Sequence, residues 1–246
     1  MNSPEPRFAR IAATIGDPTR ARMLAALMGG QYLAAGELAA AAGVTAQTAS
    51  SHVAKLVDAE LVVVRTQGRH RYVRLADTEI AHALEALSLV AEKHTAADKW
   101  SQGPYKPLKA ARTCYSHLAG ELGVALYDGL LARGTLVAGD GCFMVSERGR
   151  AELEALGITV PAMGGRRLAR PCLDWSERRD HLAGELAVRL LAHFIEQRWL
   201  RRIDGSRALK ITPEGSRRLA PWIAPAYISA GIVSANGESP CLRQAR

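Results

Sequence analysis

Residues 44–75 leave this chain few folds to choose from. Val44, Ala49, Val53 and Leu56 recur at helical spacing around Thr45, whose hydroxyl suits a helix N-cap, while Gln47, Ser50, Ser51 and Lys55 fall on the opposite face. Beyond them, Val62 to Thr66 and Tyr72 to Leu75 are β-branched or aromatic runs joined across Gln67-Gly68-Arg69-His70-Arg71, a pattern that predicts a hairpin with a basic tip. A helix with short polar side chains can settle deep in the DNA major groove, where Gln and Ser read base edges. A loop carrying Arg69, His70 and Arg71 suits phosphates or the minor groove. The plainer alternative is a surface helix followed by an ordinary hairpin.

The flanking segments complete a layout. Phe8, Ile11, Ala12 and Ile15 form one stripe of a short first helix that Gly16 stops. Asp17-Pro18-Thr19 opens a second, with Asp17 as N-cap and Met23, Leu24 and Leu27 as its apolar stripe, before Gly29-Gly30 ends it. The alanine-rich run from Glu37 reads as helix, and Gly43 supplies the left-handed turn into the helix after Thr45, giving helix, tight turn, helix. Asp77 caps a later helix over about 78–95, whose Ile80, Leu84, Leu87 and Val90 suit a dimer or core contact.

At 246 residues, 48% hydrophobic and 23% charged, the chain has the composition of a globular protein with room for more than one domain, not of a disordered one. A net charge of +8 favours a polyanionic partner. There is no N-terminal charged-then-apolar signal and no run of about 18 apolar residues, so the expectation is no membrane and a cytoplasmic location. Cys114, Cys142, Cys172 and Cys241 are too sparse for a disulfide framework, and reduced thiols are expected.

Gly16-Asp17-Pro18-Thr19-Arg20, the helix at Glu37-Leu38-Ala39, the run 45–61 with Thr48, Ser50 and His52 in register, and Gly68-Arg69-His70-Arg71-Tyr72 together resemble the ArsR/SmtB family of winged-helix regulators, over residues 6–94. The resemblance implies a homodimer held by the first helix and the helix after the wing, bound to a palindromic double-stranded operator and repressing until an inducer arrives. Carried over by position, it implies Gln47, Ser50, Ser51 and Lys55 in the groove, Thr45 and Thr48 on the backbone, and Arg69 and Arg71 in the wing contact. His52, Arg65 and His70 complete the expected DNA-binding set. Glu60 departs from the pattern, which usually has Gly after the recognition helix. Many such regulators sense metals, through cysteines before the recognition helix or an Asp-x-His pattern with a distant His and acid on the dimer helix. Here the first place reads Leu33-Ala34-Ala35-Gly36-Glu37-Leu38, without a thiol, and Glu79, His82, Glu92 and His94 do not reproduce the second.

Two prolines and a glycine in residues 100–107 break helical patterning and mark a linker. The expected division is a winged helix-turn-helix DNA-binding and dimerisation domain over 1–95, a linker over 96–107, a C-terminal repeat and sensor domain over 108–228, and a flexible tail over 229–246. The repeat is explicit: His117-Leu118-Ala119-Gly120-Glu121-Leu122 recurs 64 positions later as His181-Leu182-Ala183-Gly184-Glu185-Leu186. The likeness continues through Leu126/Leu190, Leu136/Leu200 and Asp140-Gly141/Asp204-Gly205. After a two-residue insertion, the segment at Val145-Ser146 matches that at Ile211-Thr212. Each copy reads as a helix, a hairpin turning at Asp-Gly and a short closing helix, a degenerate winged-helix unit without a polar recognition helix. The expected fold class is mainly α with small β wings (α+β).

Residues 166–179, between the copies, are similar to a stretch found in a subset of long ArsR-type regulators, which implies a long form with a C-terminal extension. The stretch mixes an exposed-type Trp175, the Cys172 thiol, several guanidiniums including Arg167, and a carboxylate, which can line a small-molecule site. The plainer reading, which comes first, is a linker whose Trp175 plugs the gap between two repeat units and whose arginines are solvated. The repeat also sets Cys114 with His117 and Cys172 with His181, and pseudo-twofold packing of the copies would gather all four. Cys2His2 is a sound zinc set, and the two thiols are also a redox pair if their Cα atoms lie within about 7 Å. The spacings Cys-x2-His and Cys-x8-His are loose and the histidines can instead cap helices, so no metal or cofactor is assigned, zinc or another metal remaining an alternative. Cys114, His117, Arg167, Cys172, Trp175 and His181 are the candidate effector-binding residues, for a small-molecule or thiol-reactive ligand. No nucleophile, phosphate-loop or paired-carboxylate signature is present. The sequence therefore predicts no enzyme but a DNA-binding transcriptional regulator, a homodimeric repressor released by an effector sensed in the C-terminal domain. The alternative is an enzyme or metal-binding module that uses the winged helix only to dimerise.

Overall fold

A computed structural model describes residues 7–68, 70–91, 106–139, 142–162, 164–204 and 206–229, in two compact units, Met1–Leu84 and Glu85–Arg246. Most of the expected linker, the tail from 230 with Cys241, and Glu92, His94, Arg69, the Asp140-Gly141 turn and Gly205 lie outside the described residues.

The first unit runs α1 (Arg7–Ile15), α2 (Pro18–Leu27), β1 (Leu33–Ala34), α3 (Ala35–Ala42), α4 (Ala46–Asp58), β2 (Val62–Gln67), β3 (His70–Leu75) and the start of α5 (Thr78–Ala91). Asp17 caps α2, its Oδ1 accepting from the amides of Thr19 and Arg20 at 3.0 and 2.9 Å. Gly43 turns the chain from α3 into α4 at φ 70°, a left-handed conformation that costs glycine little. The buried faces of the three middle helices meet in a core of Met23, Leu24, Leu27, Leu38, Ala49, Val53 and Leu56, closed on the sheet side by Val73 and Leu75.

The sheet has the order β1-β3-β2, all antiparallel, with Val62 opposite Leu75 and, at the far end, Gln67 opposite His70. This corrects the expected loop. His70 and Arg71 belong to β3, because the strands stay paired until only positions 68 and 69 separate them. β1, which pairs Leu33 with Val73, was not expected at all, since two residues are too few to display a period.

The second unit continues α5 and then runs α6 (Lys106–Ala110), β4 (Arg112–Cys114), β5 (His117–Ala119), α7 (Glu121–Ala132), β6 (Leu136–Ala138), β7 (Phe143–Val145), α8 (Glu147–Ala155), α9 (Gly165–Leu168), β8 (Arg170–Leu173), β9 (Asp180–Ala183), α10 (Glu185–Glu196), β10 (Leu200–Arg202), β11 (Leu209–Ile211), α11 (Pro213–Leu219) and α12 (Pro225–Ser229). Lys106 and Pro107, expected in the linker, instead form the first turn of α6, a position that tolerates proline. Each repeat copy has the expected helix, hairpin and closing helix, α7-β6-β7-α8 and α10-β10-β11-α11, packed on one apolar core that includes Leu122, Leu126, Leu130, Leu186, Leu190 and Phe194.

Each copy also opens on a hairpin that the sequence did not suggest, β4-β5 and β8-β9, so that His-Leu-Ala is a strand and the following Gly caps the helix. Gly120 and Gly184 sit at φ 79° and 100°, and a Cβ on either would lie 2.6 Å from a backbone oxygen, of Lys109 or of Leu168. The repeated glycine thus marks a repeated close approach.

Candidate nucleic-acid interface and thiol–imidazole cluster

Thr45 caps α4, its Oγ1 accepting from the Thr48 amide at 3.2 Å. With Ala49, Val53 and Leu56 turned inward, Thr45, Gln47, Thr48, Ser50, Ser51 and Lys55 are all exposed. Ser50 and Ser51 donate back to the carbonyls of Ala46 and Thr48, at 2.9 and 2.8 Å, which draws their hydroxyls against the helix. That leaves Gln47 and Lys55 as the long side chains of a slender exposed face. His52 stands apart from this face. It is half-buried, with Nδ1 3.6 Å from Oδ1 of the α2 cap Asp17. In the wing, strand alternation sets Arg65 and His70 on one side and Arg71 on the other, all three exposed.

The second unit gathers the other candidates. Cys114 is directly opposite His117 in the β4-β5 hairpin, and Cys172 is directly opposite His181 in β8-β9. The ligand-type atoms of all four lie within 4.8 Å of one another, among the described residues the one group of three or more metal-type side chains. Cys114, His117 and His181 are buried and Cys172 is half-buried. The two Nε2 atoms of His117 and His181 face each other at 3.1 Å. The unequal spacings are reconciled by the turns: two residues separate Cys114 from His117, whereas eight separate Cys172 from His181, and the extra length projects as a loop while the cross-strand pairing stays equivalent.

That loop supplies Asp174, which the sequence reading did not single out. Its Oδ2 lies 3.1 Å from Nδ1 of His181 and accepts from the Gly120 amide at 2.7 Å, while Oδ1 accepts from Arg112 Nη2 at 2.7 Å and from the Ser176 amide at 3.0 Å. Arg112 and Asp174 are both wholly buried. The Arg112 guanidinium also donates to Ser176 Oγ and lies 4.4 Å over the Trp175 ring. Trp175 is therefore buried as the floor under a cation, while Arg167 is exposed on α9.

The electrostatics follow from these contacts. Burial opposes the charged form of Asp174, yet the Arg112 and His181 cations outweigh it and hold the carboxyl well below the usual carboxylate range. Burial likewise opposes the charge of His181, but its contacts with Asp174 and Cys172 raise its pKa to about 9. Hydrogen bonding from Cys114, and then from the two histidines, pulls the Cys172 thiol far down; the same Cys114 contact, with burial, pushes Cys114 up.

A family model described as "Helix-turn-helix domain" matches residues 15–65. The HTH-type transcriptional regulator YdfF of Bacillus subtilis (strain 168) is 41% identical over 212 residues, covering 85% of this chain and 94% of that protein. The HTH-type transcriptional regulator CmtR of Mycobacterium bovis is 40% identical over 83 residues, 34% of this chain and 70% of CmtR. Among solved structures, the homodimeric winged helix-turn-helix DNA-binding domain of Mb0332 from Mycobacterium bovis, a possible ArsR-family transcriptional regulator, is 27% identical, covers 37% of this chain and 82% of that one, and superposes with a TM-score of 0.35. Identity and coverage along most of both chains agree with YdfF, and the chain belongs to the HTH-type transcriptional regulators.

Proposed function

We propose that this DNA-binding regulator is a homodimeric repressor, that α4 and the β2-β3 wing read a palindromic operator, and that the second unit senses the effector that releases it. The observation that carries the reading is the slender face of α4. Gln47 and Lys55 reach outward past hydroxyls folded back on the helix, and Arg65, His70 and Arg71 stand exposed on the following hairpin. Such a face fits the major groove and such a hairpin fits the flanking backbone.

Dimerisation is supported by apolar side chains left in solvent on the two helices expected to pair. Phe8 on α1 is 72% exposed, and Leu87 and Val90 on α5 are 50% and 69% exposed. A role other than catalysis is supported by relatives that are named transcriptional regulators. No helix among the described residues is long and apolar enough to cross a membrane, in keeping with a cytoplasmic place of action. The testing measurement is fluorescence anisotropy on the chain's own upstream DNA against a scrambled duplex at about physiological ionic strength. The reading expects a preference of about a thousandfold or more. Equal affinity for both duplexes would overturn it.

A further inference from the structure

We propose that Cys114, His117, Cys172 and His181 form a tetrahedral site for a divalent d10 ion of the zinc class, bound by two thiolates and the two imidazole Nε2 atoms. Four-coordinate zinc with Zn–S of about 2.3 Å and Zn–N of about 2.0–2.1 Å sets its ligand atoms about 3.3–3.8 Å apart. Here the two Nε2 atoms are already 3.1 Å apart, and the longest separation in the set is within 4.8 Å. Closing that gap needs only small side-chain movements, because the four residues are fixed as cross-strand pairs on two hairpins.

Three further features select this ion class. The donors are two sulfurs and two nitrogens with no oxygen among them, which suits zinc and not magnesium or calcium. Two thiolates cancel a divalent charge, and the carboxylate of Asp174 is already cancelled by Arg112, so the filled site is neutral in a buried setting. Asp174 also holds Nδ1 of His181 at 3.1 Å, which turns Nε2 toward the cluster; a carboxylate behind a ligating histidine is the usual way that a ligand ring is oriented. Cys172, the half-buried member, marks the side from which an ion can enter. Binding requires both sulfurs as thiolates and both Nε2 atoms unprotonated, any protons they carry pass to solvent, and no atom changes oxidation state.

The site stands on the second unit's own geometry; naming the ion as the effector rests on the regulator reading above. The full chain, reduced and stripped of metal, is titrated with Co2+ as a spectroscopic probe and then with Zn2+ against a chromophoric chelator. One equivalent of Co2+ with thiolate charge-transfer and intense tetrahedral visible bands, displaced by Zn2+, is expected. Cys172→Ser should lose the charge-transfer intensity of one thiolate, His117→Gln should lose the tetrahedral spectrum, and Cys142→Ser, outside the cluster, should leave both unchanged. Asp174→Asn should weaken zinc by about 10–100-fold. Far-UV circular dichroism and the wild-type titration keep the test independent of any variant that fails to fold.

No uptake by the reduced wild type, or a Co2+ spectrum unaltered in Cys172→Ser, would overturn the site. So would a reduced protein that forms a Cys114–Cys172 disulfide in air and takes up no metal, which would make the pair a redox element. DNA anisotropy on the same samples keeps the two readings apart. Absence of specific DNA binding with the Co2+ spectrum intact would remove the regulator reading and leave the site. Specific DNA binding unchanged by one equivalent of Zn2+ would leave the site as structural and overturn the ion as effector.

Discussion

Arg198 follows α10 at φ 59°, and its counterpart 64 positions earlier, Gly134 after α7, adopts φ 69°. The two copies demand the same left-handed residue at the same corner, but only the first supplies a glycine. Glu60, after α4, is in the same condition at φ 60°, which explains why the pattern it departs from usually has Gly there. A left-handed conformation costs a non-glycine residue roughly 1–2 kcal/mol, and glycine gives back part of that through its larger unfolded-state entropy. Arg198→Gly and Glu60→Gly should therefore each stabilise the protein, by about 0.5–1 kcal/mol, read as a higher urea midpoint at unchanged m value. A lowered midpoint for Arg198→Gly would mean that the arginine side chain contributes more than its backbone costs.

At the scale of elements, α4 and the wing divide the labour of binding, and substitution can separate their shares. Gln47 is exposed on α4 and able to reach base edges, so Gln47→Ala should narrow the gap between specific and scrambled DNA by about 1–3 kcal/mol. Arg71→Ala should weaken both duplexes alike and reduce the slope of log affinity against log salt by about 1. Equal losses on both duplexes for Gln47→Ala would remove it from base reading. On α5, Leu87→Glu places a charge in the exposed apolar stripe, and sedimentation should show the dimer shifting to monomer at a given concentration. An unshifted profile would place the dimer contact elsewhere. The first-unit helices were legible because ten or so residues at helical spacing display a face, as Ala49, Val53 and Leu56 do on α4. The hairpins β4-β5 and β8-β9 were not, because three- or four-residue strands rich in buried side chains show no alternation. The same limit hid Asp174: its partners Arg112, Gly120 and His181 are set by where two hairpins fold, and nothing local in Leu173-Asp174-Trp175 announces them. The Cys and His pairs could be suspected only because His117 and His181 are visibly the same residue of a repeat.

For the molecule as a whole, the part of α5 from Glu85 to Ala91 belongs to the second unit and is packed within it. Glu85, buried, is ion-paired with Arg207, whose carbonyl accepts from the Thr113 amide at 2.9 Å, one residue before Cys114. Arg207 also lies 5.9 Å over the Trp175 ring, on whose other near cation, Arg112, the Asp174 carboxylate depends. A shift of β4 when its cysteine is engaged thus has a short, packed route to the helix that carries Leu87 and Val90. Binding coupling is reciprocal, so if zinc lowers operator affinity by some factor, operator must lower zinc affinity by the same factor. Measuring zinc affinity with and without saturating operator gives that factor for the wild type. In Glu85→Gln, which keeps the shape but removes the charge gripping Arg207, both intrinsic affinities should survive while the factor falls toward one. If Glu85→Gln retains the full wild-type factor, the signal does not pass through this ion pair, and another part of the second unit must move α5.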